Sequence, residues 1–339
     1  MSAIANPTRP WRLPISWIVR VLVSVVVLVV LFRFVRIEEV WGAVQRISPL
    51  LWLAALALFL AGHATSAAKW LILIGNGISF GQAFRAHLAG LAANLCLPGA
   101  ASGDVVRAGL VFASAKDKSA LAMGSFADRL LDTLGLLIIS AVGMALAAGP
   151  ASGNSRLILP VMGLFLACVV GGFLASIALD QWLQRRAPTS KVVKLAAKVI
   201  AAAASLARRP ARLALCLAMS MAVQTVFICI NIAFANAIGI HAPPAAWFFA
   251  WSASKIIIIL PVSMNGLGVR EASMALLMAP FGAPKDLVVA VGLIWQAVLY
   301  ASGAIGAVVQ AIWRPAKSGA GARDSMLGST LTPEGTVRD

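Results

Sequence analysis

The chain has 339 residues, 60% of them hydrophobic and only 12% charged, with a mean hydropathy of +0.91. Soluble domains carry about 25% charged residues, so the composition excludes an ordinary soluble enzyme or binding module. The net charge of +16 would elsewhere point to nucleic acid. Spread between apolar runs, it points to anionic lipid headgroups, with no nucleic-acid partner.

In chain order, a basic segment (residues 1–14) precedes the apolar run Ile15–Phe32. That run follows Arg9 and Arg12 and lacks a small-residue cleavage site, so it reads as a retained span. Further spans are predicted at Leu50–Ile74, Ser119–Ala148, Leu157–Leu179, Leu213–Ile238 and Leu287–Trp313. Each is of bilayer-crossing length. They are continuous rather than alternating, which argues for helices over a β-barrel. Two apolar stretches are interrupted: Ala83–Ala113 around Pro98, and Pro244–Phe281 around Pro261. Each can be a kinked crossing or a re-entrant hairpin of two half-helices. The tail, residues 314–339, is rich in Gly, Ser, Thr and Pro and is predicted to be a disordered cytoplasmic segment.

Charge distribution favours the hairpins. The loop 180–212 carries eight Lys and Arg, among them Lys191, Lys194 and Lys198, against Asp180 alone. The positive-inside rule makes it cytoplasmic. With both interrupted stretches as hairpins, the N-terminus, the Lys116/Lys118 turn and the Arg314/Lys317 end all become cytoplasmic, while 149–156 and 239–243 fall outside. Full crossings would put both termini outside. Within the basic loop, Trp182, Val192, Val193, Leu195 and Val199 are interleaved with the lysines. This fits a surface helix on anionic lipid or an ordinary solvated connector. Trp41, Trp52, Trp70, Trp182, Trp247 and Trp313 lie near predicted span ends and read as interface anchors. Lys69, near a span end, reads as a snorkelling residue.

The interruptions echo each other. Leu97-Pro98-x4-Gly103-x2-Val106-Arg107 recurs as Leu260-Pro261-x4-Gly266-x2-Val269-Arg270, an offset of 163 residues from Leu97 to Leu260. The same offset carries Leu50–Ile74 onto the fifth span and Ser119–Ala148 onto the last. The expected architecture is therefore an all-α polytopic membrane protein. One transmembrane domain (15–313) holds halves 15–148 and 157–313, each reading span, span, re-entrant hairpin, span. That makes about six full spans and two broken hairpins. An odd number of crossings per half makes the repeat inverted.

Ionisable groups within a bilayer cost at least about 2.5 kcal/mol each, so each needs a reason. Asp104, Arg107, Lys255, Arg270 and Glu271 lie in or beside the interrupted segments; Asp128, Arg129 and Asp132 lie in the third span. Asp128 and Asp132, four apart, share a helix face and would repel, or share a proton, unless Arg129 or a hairpin arginine sits between them. Pro98 and Pro261 break the helices, and Gly99, Gly103, Gly266 and Gly268 permit tight reversal or close approach. Restarting helices present free N–H groups toward an anion, and Arg107 and Arg270 add guanidinium forks suited to phosphate. Asn94, Ser102, Ser263 and Asn265 add polar groups. A structural alternative pairs Arg107 with Asp104, and Arg270 with Glu271 or a carboxylate of the third span. His63, His87 and His241 are scattered and suggest no metal set. The cysteines (Cys96, Cys168, Cys216, Cys229) have no CxxC spacing and read as small buried hydrophobes. No P-loop motif is present, and no cofactor is implied.

At these motifs the chain resembles the transmembrane region of the lysylphosphatidylglycerol synthases. The matching residues are Asn94, Leu97-Pro98-Gly99, Gly103-Asp104 and Arg107; Asp128-Arg129-x-x-Asp132-x-x-Gly135; and Pro261-x-Ser263-x-Asn265-Gly266-x-Gly268-x-Arg270-Glu271. Asp stands at 104 and 128 where the family often has Glu. In the full-length synthases this region looks like a lipid flippase joined to a soluble aminoacyl-transferase domain. Only 26 residues follow Trp313, so the resemblance implies a stand-alone member. It implies translocation of a phospholipid or polyprenyl-phosphate-type lipid across the bacterial inner membrane rather than enzymatic lysyl transfer. Asn94, Ser102, Asp104, Arg107, Asp128, Arg129, Asp132, Ser263, Asn265, Arg270 and Glu271 would form the headgroup site. The alternatives are an intramembrane enzyme acting on a lipid headgroup and an accessory partner of a lipid-modifying enzyme.

Overall fold

A computed structural model describes residues 36–75, 77–96, 102–148, 155–185, 190–259 and 267–312. The first predicted span, the tail, and Pro98, Gly99, Pro261, Ser263, Asn265 and Gly266 lie outside these residues. Every regular element among the described residues is helical. In order they are α1 (Ile37–Gln45), α2 (Pro49–Ile74), α3 (Phe80–Cys96), α4 (Ser102–Phe112), α5 (Lys118–Ala148) and α6 (Ser155–Arg185). Then follow α7 (Lys191–Ala207), α8 (Pro210–Ala237), α9 (Pro244–Ile259), α10 (Val269–Met278), a 3-10 turn (Ala279–Phe281) and α11 (Lys285–Ile312). Within the described residues, four helices are long and apolar enough to cross a membrane: α2, α5, α8 and α11. Their bounds follow the apolar runs to within a few residues.

Local chemistry sets the ends. Ser48 caps α2 by accepting from the Leu51 N–H at 3.2 Å, and Pro49 occupies the first turn, where its missing N–H costs nothing. Gly75 stops the helix at φ 79°, a backbone conformation that favours glycine. Both interrupted stretches are two helices: α3 ends at Cys96 before α4 starts at Ser102, and α9 ends at Ile259 before α10 starts at Val269.

The halves exchange packing partners. α3 packs on α11 and α5 packs on α9, while α2 meets α8. Within the halves, α3 packs on α4 as α9 does on α10, and α2 on α5 as α8 does on α11. The short helix α1 lies on α11 as α7 lies on α5. Exchanging the halves leaves this set of pairs unchanged. Small residues make the two cross-half contacts possible. A Cβ on Gly143 would come within 2.5 Å of the Phe249 nitrogen, and one on Gly306 within 2.2 Å of the Leu88 carbonyl oxygen. Gly143 and Gly306 are separated by the same 163-residue offset, as are Ser140 and Gly303, one turn earlier on each helix. Small residues of this kind let helix backbones approach closely where lipid offers no hydrophobic driving force.

Two expectations need correction. Trp70 and Trp247 are buried, not interfacial, whereas Trp41 and Trp182 are exposed. Of the cysteines, Cys216 is buried but Cys168 and Cys229 are exposed. Apolar surface on a membrane protein meets lipid, so a small side chain there needs no cover. The basic loop does contain a helix, α7, capped by Ser190. Val193, Lys194, Leu195 and Lys198 are exposed, while Ala203, Ala204 and Leu206 pack inward. Arg208 holds its far end by an ion pair to Asp180 on α6 at 2.7 Å.

Candidate functional site: a charged cavity between the half-helix pairs

The packing of α3 on α11, α4 on α5, α9 on α8 and α10 on α11 leaves a cavity of about 280 Å³. Asn94, Asp104, Arg107, Asp128, Arg129, Asp132 and Arg270 line it. The structure thus gathers these residues, which are scattered over 176 positions of sequence from Asn94 to Arg270.

On the first side, Arg107 is 5% exposed and donates to Asp128 Oδ2 at 2.9 Å and to His87 Nε2 at 2.9 Å. Arginine has no acceptor, so the imidazole nitrogen accepts. Its guanidinium also lies 4.5 Å from the centre of the Trp70 ring, and Asp104 lies 3.5 Å away. Arg129 pairs with Asp104. Gly103 is needed for close approach: a Cβ there would come within 2.7 Å of the Gly90 carbonyl oxygen. Its N–H donates to Asn94 Oδ1 at 2.9 Å, and Ser102 Oγ donates to the same oxygen at 3.1 Å.

The cation that bridges Asp128 and Asp132 is Lys69, not Arg129 or a hairpin arginine as expected. It pairs with Asp128 Oδ1 at 2.9 Å and with Asp132, and donates to Ser220 Oγ at 2.8 Å. Ser220 Oγ in turn donates to Asp132 Oδ1 at 2.6 Å. Lys69 is 1% exposed. It does not snorkel: α2 packs on both α5 and α8, so the ammonium turns inward to two carboxylates rather than out to a headgroup. The sequence held one signal for it. Lys69 is the only charged residue of the second span, and the third span carries one more carboxylate than cation.

On the second side, Glu271 is fully buried and accepts from the Gly268 N–H at 2.8 Å, capping α10. Gly268 holds φ 80° to bring that N–H round. Arg270 pairs with Glu271 at 2.5 Å and donates to Gln296 Oε1 at 2.7 Å and to the Gly292 carbonyl at 3.3 Å. The local pairings of Arg107 with Asp104 and of Arg270 with Glu271 are therefore both present, alongside the longer-range ones. At each restart one N–H is taken: Asn94 accepts from the Gly103 N–H, and Glu271 from the Gly268 N–H. Arg107 sits in the second turn of α4, beyond the reach of a bare N-terminus.

Other lining residues were not among the expected site. His63 and His87 are not scattered; their ring centroids lie 6.3 Å apart. Phe59, Phe227, Trp251 and Trp295 form an aromatic wall, with Trp251 edge-on to Trp295 at 5.0 Å and Phe59 stacked on Phe227 at 5.0 Å. Lys255 reaches past this wall to Gln224 Oε1 at 3.1 Å. Aromatic residues at helical spacing look like core in a sequence, and only the packing of α2 and α8 against α9 and α11 makes them a wall.

Among curated proteins and among solved structures, nothing matches the chain. The model of one family, the lysylphosphatidylglycerol synthase TM region, matches residues 17–306, and the chain belongs to that family.

Proposed function

We propose that this protein moves a lipid with an anionic headgroup between the leaflets of the bacterial inner membrane. The observation that carries the reading is the charged cavity between two pairs of half-helices, with one arginine from each pair. Buried charge in a membrane domain is costly, and its usual use is a substrate or ion pathway. The family, a membrane lipid-related one, agrees with a lipid cargo. In this reading Arg107 and Arg270 hold the headgroup, while acyl or prenyl chains stay in the bilayer. Asp104, Asp128, Asp132 and Glu271 hold the cations in place between cargoes.

The architecture we infer is an inverted repeat in which α3–α4 enters from the cytoplasm and α9–α10 from outside. Both termini are cytoplasmic. The exchange of partners, α3 on α11 and α5 on α9, supports a two-fold relation of the halves. Cysteine labelling in intact cells tests the orientation. On a background without the native cysteines, Ser190→Cys and Ser114→Cys react only after the membrane is opened, and Ala242→Cys reacts from outside. Labelling of Ser190→Cys from outside contradicts this topology.

Translocation itself is tested in proteoliposomes carrying fluorescent phospholipid or polyprenyl-phosphate analogues. Wild type exposes inner-leaflet label to a quencher, and Arg270→Ala does so at the protein-free rate. A lipid recovered with a changed headgroup would instead support the intramembrane enzyme.

A further inference from the structure

Resting on the proposed function, we infer that Lys255 joins Arg107 and Arg270 on the headgroup phosphate, and that the site admits one negative charge. The charges gathered at the cavity do not balance. The cations are Lys69, Arg107, Arg129, Lys255 and Arg270; the carboxylates are Asp104, Asp128, Asp132 and Glu271. The segments 97–101 and 260–266, which join the half-helices, contain no ionisable residue, so they leave this balance unchanged. One cation is in surplus.

The surplus has a location. Lys69, Arg107, Arg129 and Arg270 each have a carboxylate within 4.0 Å among the described residues, and Lys255 has none. Its ammonium has Gln224 Oε1 at 3.1 Å and faces the rings of Phe227 at 5.6 Å and Trp251 at 5.8 Å. One amide oxygen satisfies one of three N–H donors. The two remaining donors of one ammonium, in a site with an excess charge of one, match a phosphodiester: two non-bridging oxygens and a single negative charge. A diphosphate brings more negative charge than the site balances. The same phosphate chemistry occurs in free anions; the aromatic wall beside Lys255 favours a lipid headgroup.

The test is native mass spectrometry of the full chain in detergent, titrated with phosphatidylglycerol, polyprenyl diphosphate and inorganic phosphate. Wild type is expected to retain phosphatidylglycerol in preference to the diphosphate, with inorganic phosphate displacing neither. Lys255→Gln is expected to retain it about tenfold or more weakly, the scale of a charge-assisted hydrogen bond, and Lys255→Arg to recover most of that loss. Equal retention by wild type and Lys255→Gln overturns the assignment of Lys255. Preference of wild type for the diphosphate overturns the single-charge claim, and displacement by millimolar inorganic phosphate overturns the lipid source. The vesicle assay separates this from the proposed function. Retention that depends on Lys255 without any leaflet transfer supports the site and defeats translocation. Transfer that is unchanged in Lys255→Gln does the reverse.

Discussion

Replacing Lys69 with methionine is expected to destabilise the fold by about 3–5 kcal/mol, the scale for removing one partner of a buried ion pair. Asp128 and Asp132 lie one turn apart on α5, and Lys69 is the group that holds both. The consequences for the two carboxylates differ. Among the described residues, Asp128 keeps Arg107 at 2.9 Å, whereas the hydrogen bond that Asp132 keeps is to the Ser220 hydroxyl at 2.6 Å. Asp132 is therefore the carboxylate that loses more when Lys69 is removed. Lys69→Met/Asp132→Asn should recover more stability than Lys69→Met/Asp128→Asn. Unfolding in mixed detergent micelles measures all three. Equal recovery by the two double variants would mean that Lys69 does not bridge the pair as described.

Glu271→Ala carries the second large effect, again about 3–5 kcal/mol. Glu271 does two things at once. Its carboxylate neutralises Arg270, and its second oxygen caps α10 at the Gly268 N–H. Without it, Arg270 retains, among the described residues, the Gln296 amide and the Gly292 carbonyl. Gly292 adds to the cost, because a Cβ there would meet Glu271 Cγ at 2.8 Å, so α11 is shaped around this side chain. Glu271→Gln separates the two contributions: it removes the charge and retains an acceptor for the cap. The same unfolding measurement should place Glu271→Gln between wild type and Glu271→Ala. A Gln variant as unstable as the Ala variant would assign the whole effect to charge; an Ala variant as stable as wild type would remove both roles.

Much of this molecule is legible from residue order. Helix bounds follow apolar runs, because a bilayer sets their length and a Pro or Gly ends them. The interruption before Ser102 follows from Pro98, and the one before Val269 from Pro261 and the glycines after it. The motif echo even marks the two cross-half contacts, since Gly143 and Gly306 keep the same offset. What order does not reveal is which helix a charge turns toward. Lys69 sits where a lysine ordinarily snorkels, and only the packing of α2 on α5 supplies its carboxylates. Trp70 and Trp247 lie near span ends yet are covered by neighbouring helices. Lys255 is visible as an intramembrane charge, but its lack of a carboxylate partner is a property of the folded cavity. Sequence spacing singles out seven residues that line the cavity, Asn94, Asp104, Arg107, Asp128, Arg129, Asp132 and Arg270; three-dimensional packing assigns their partners.

The central claim is that an arginine from each half holds one headgroup during transfer. Quencher-accessible fluorescent phosphatidylglycerol in sealed proteoliposomes tests it most directly, with wild type, Arg107→Ala and Arg270→Ala reconstituted at equal, folded amounts. The account predicts transfer by wild type and loss to the protein-free rate in each single variant, because the cavity needs both sides. Transfer by either variant at the wild-type rate would contradict it.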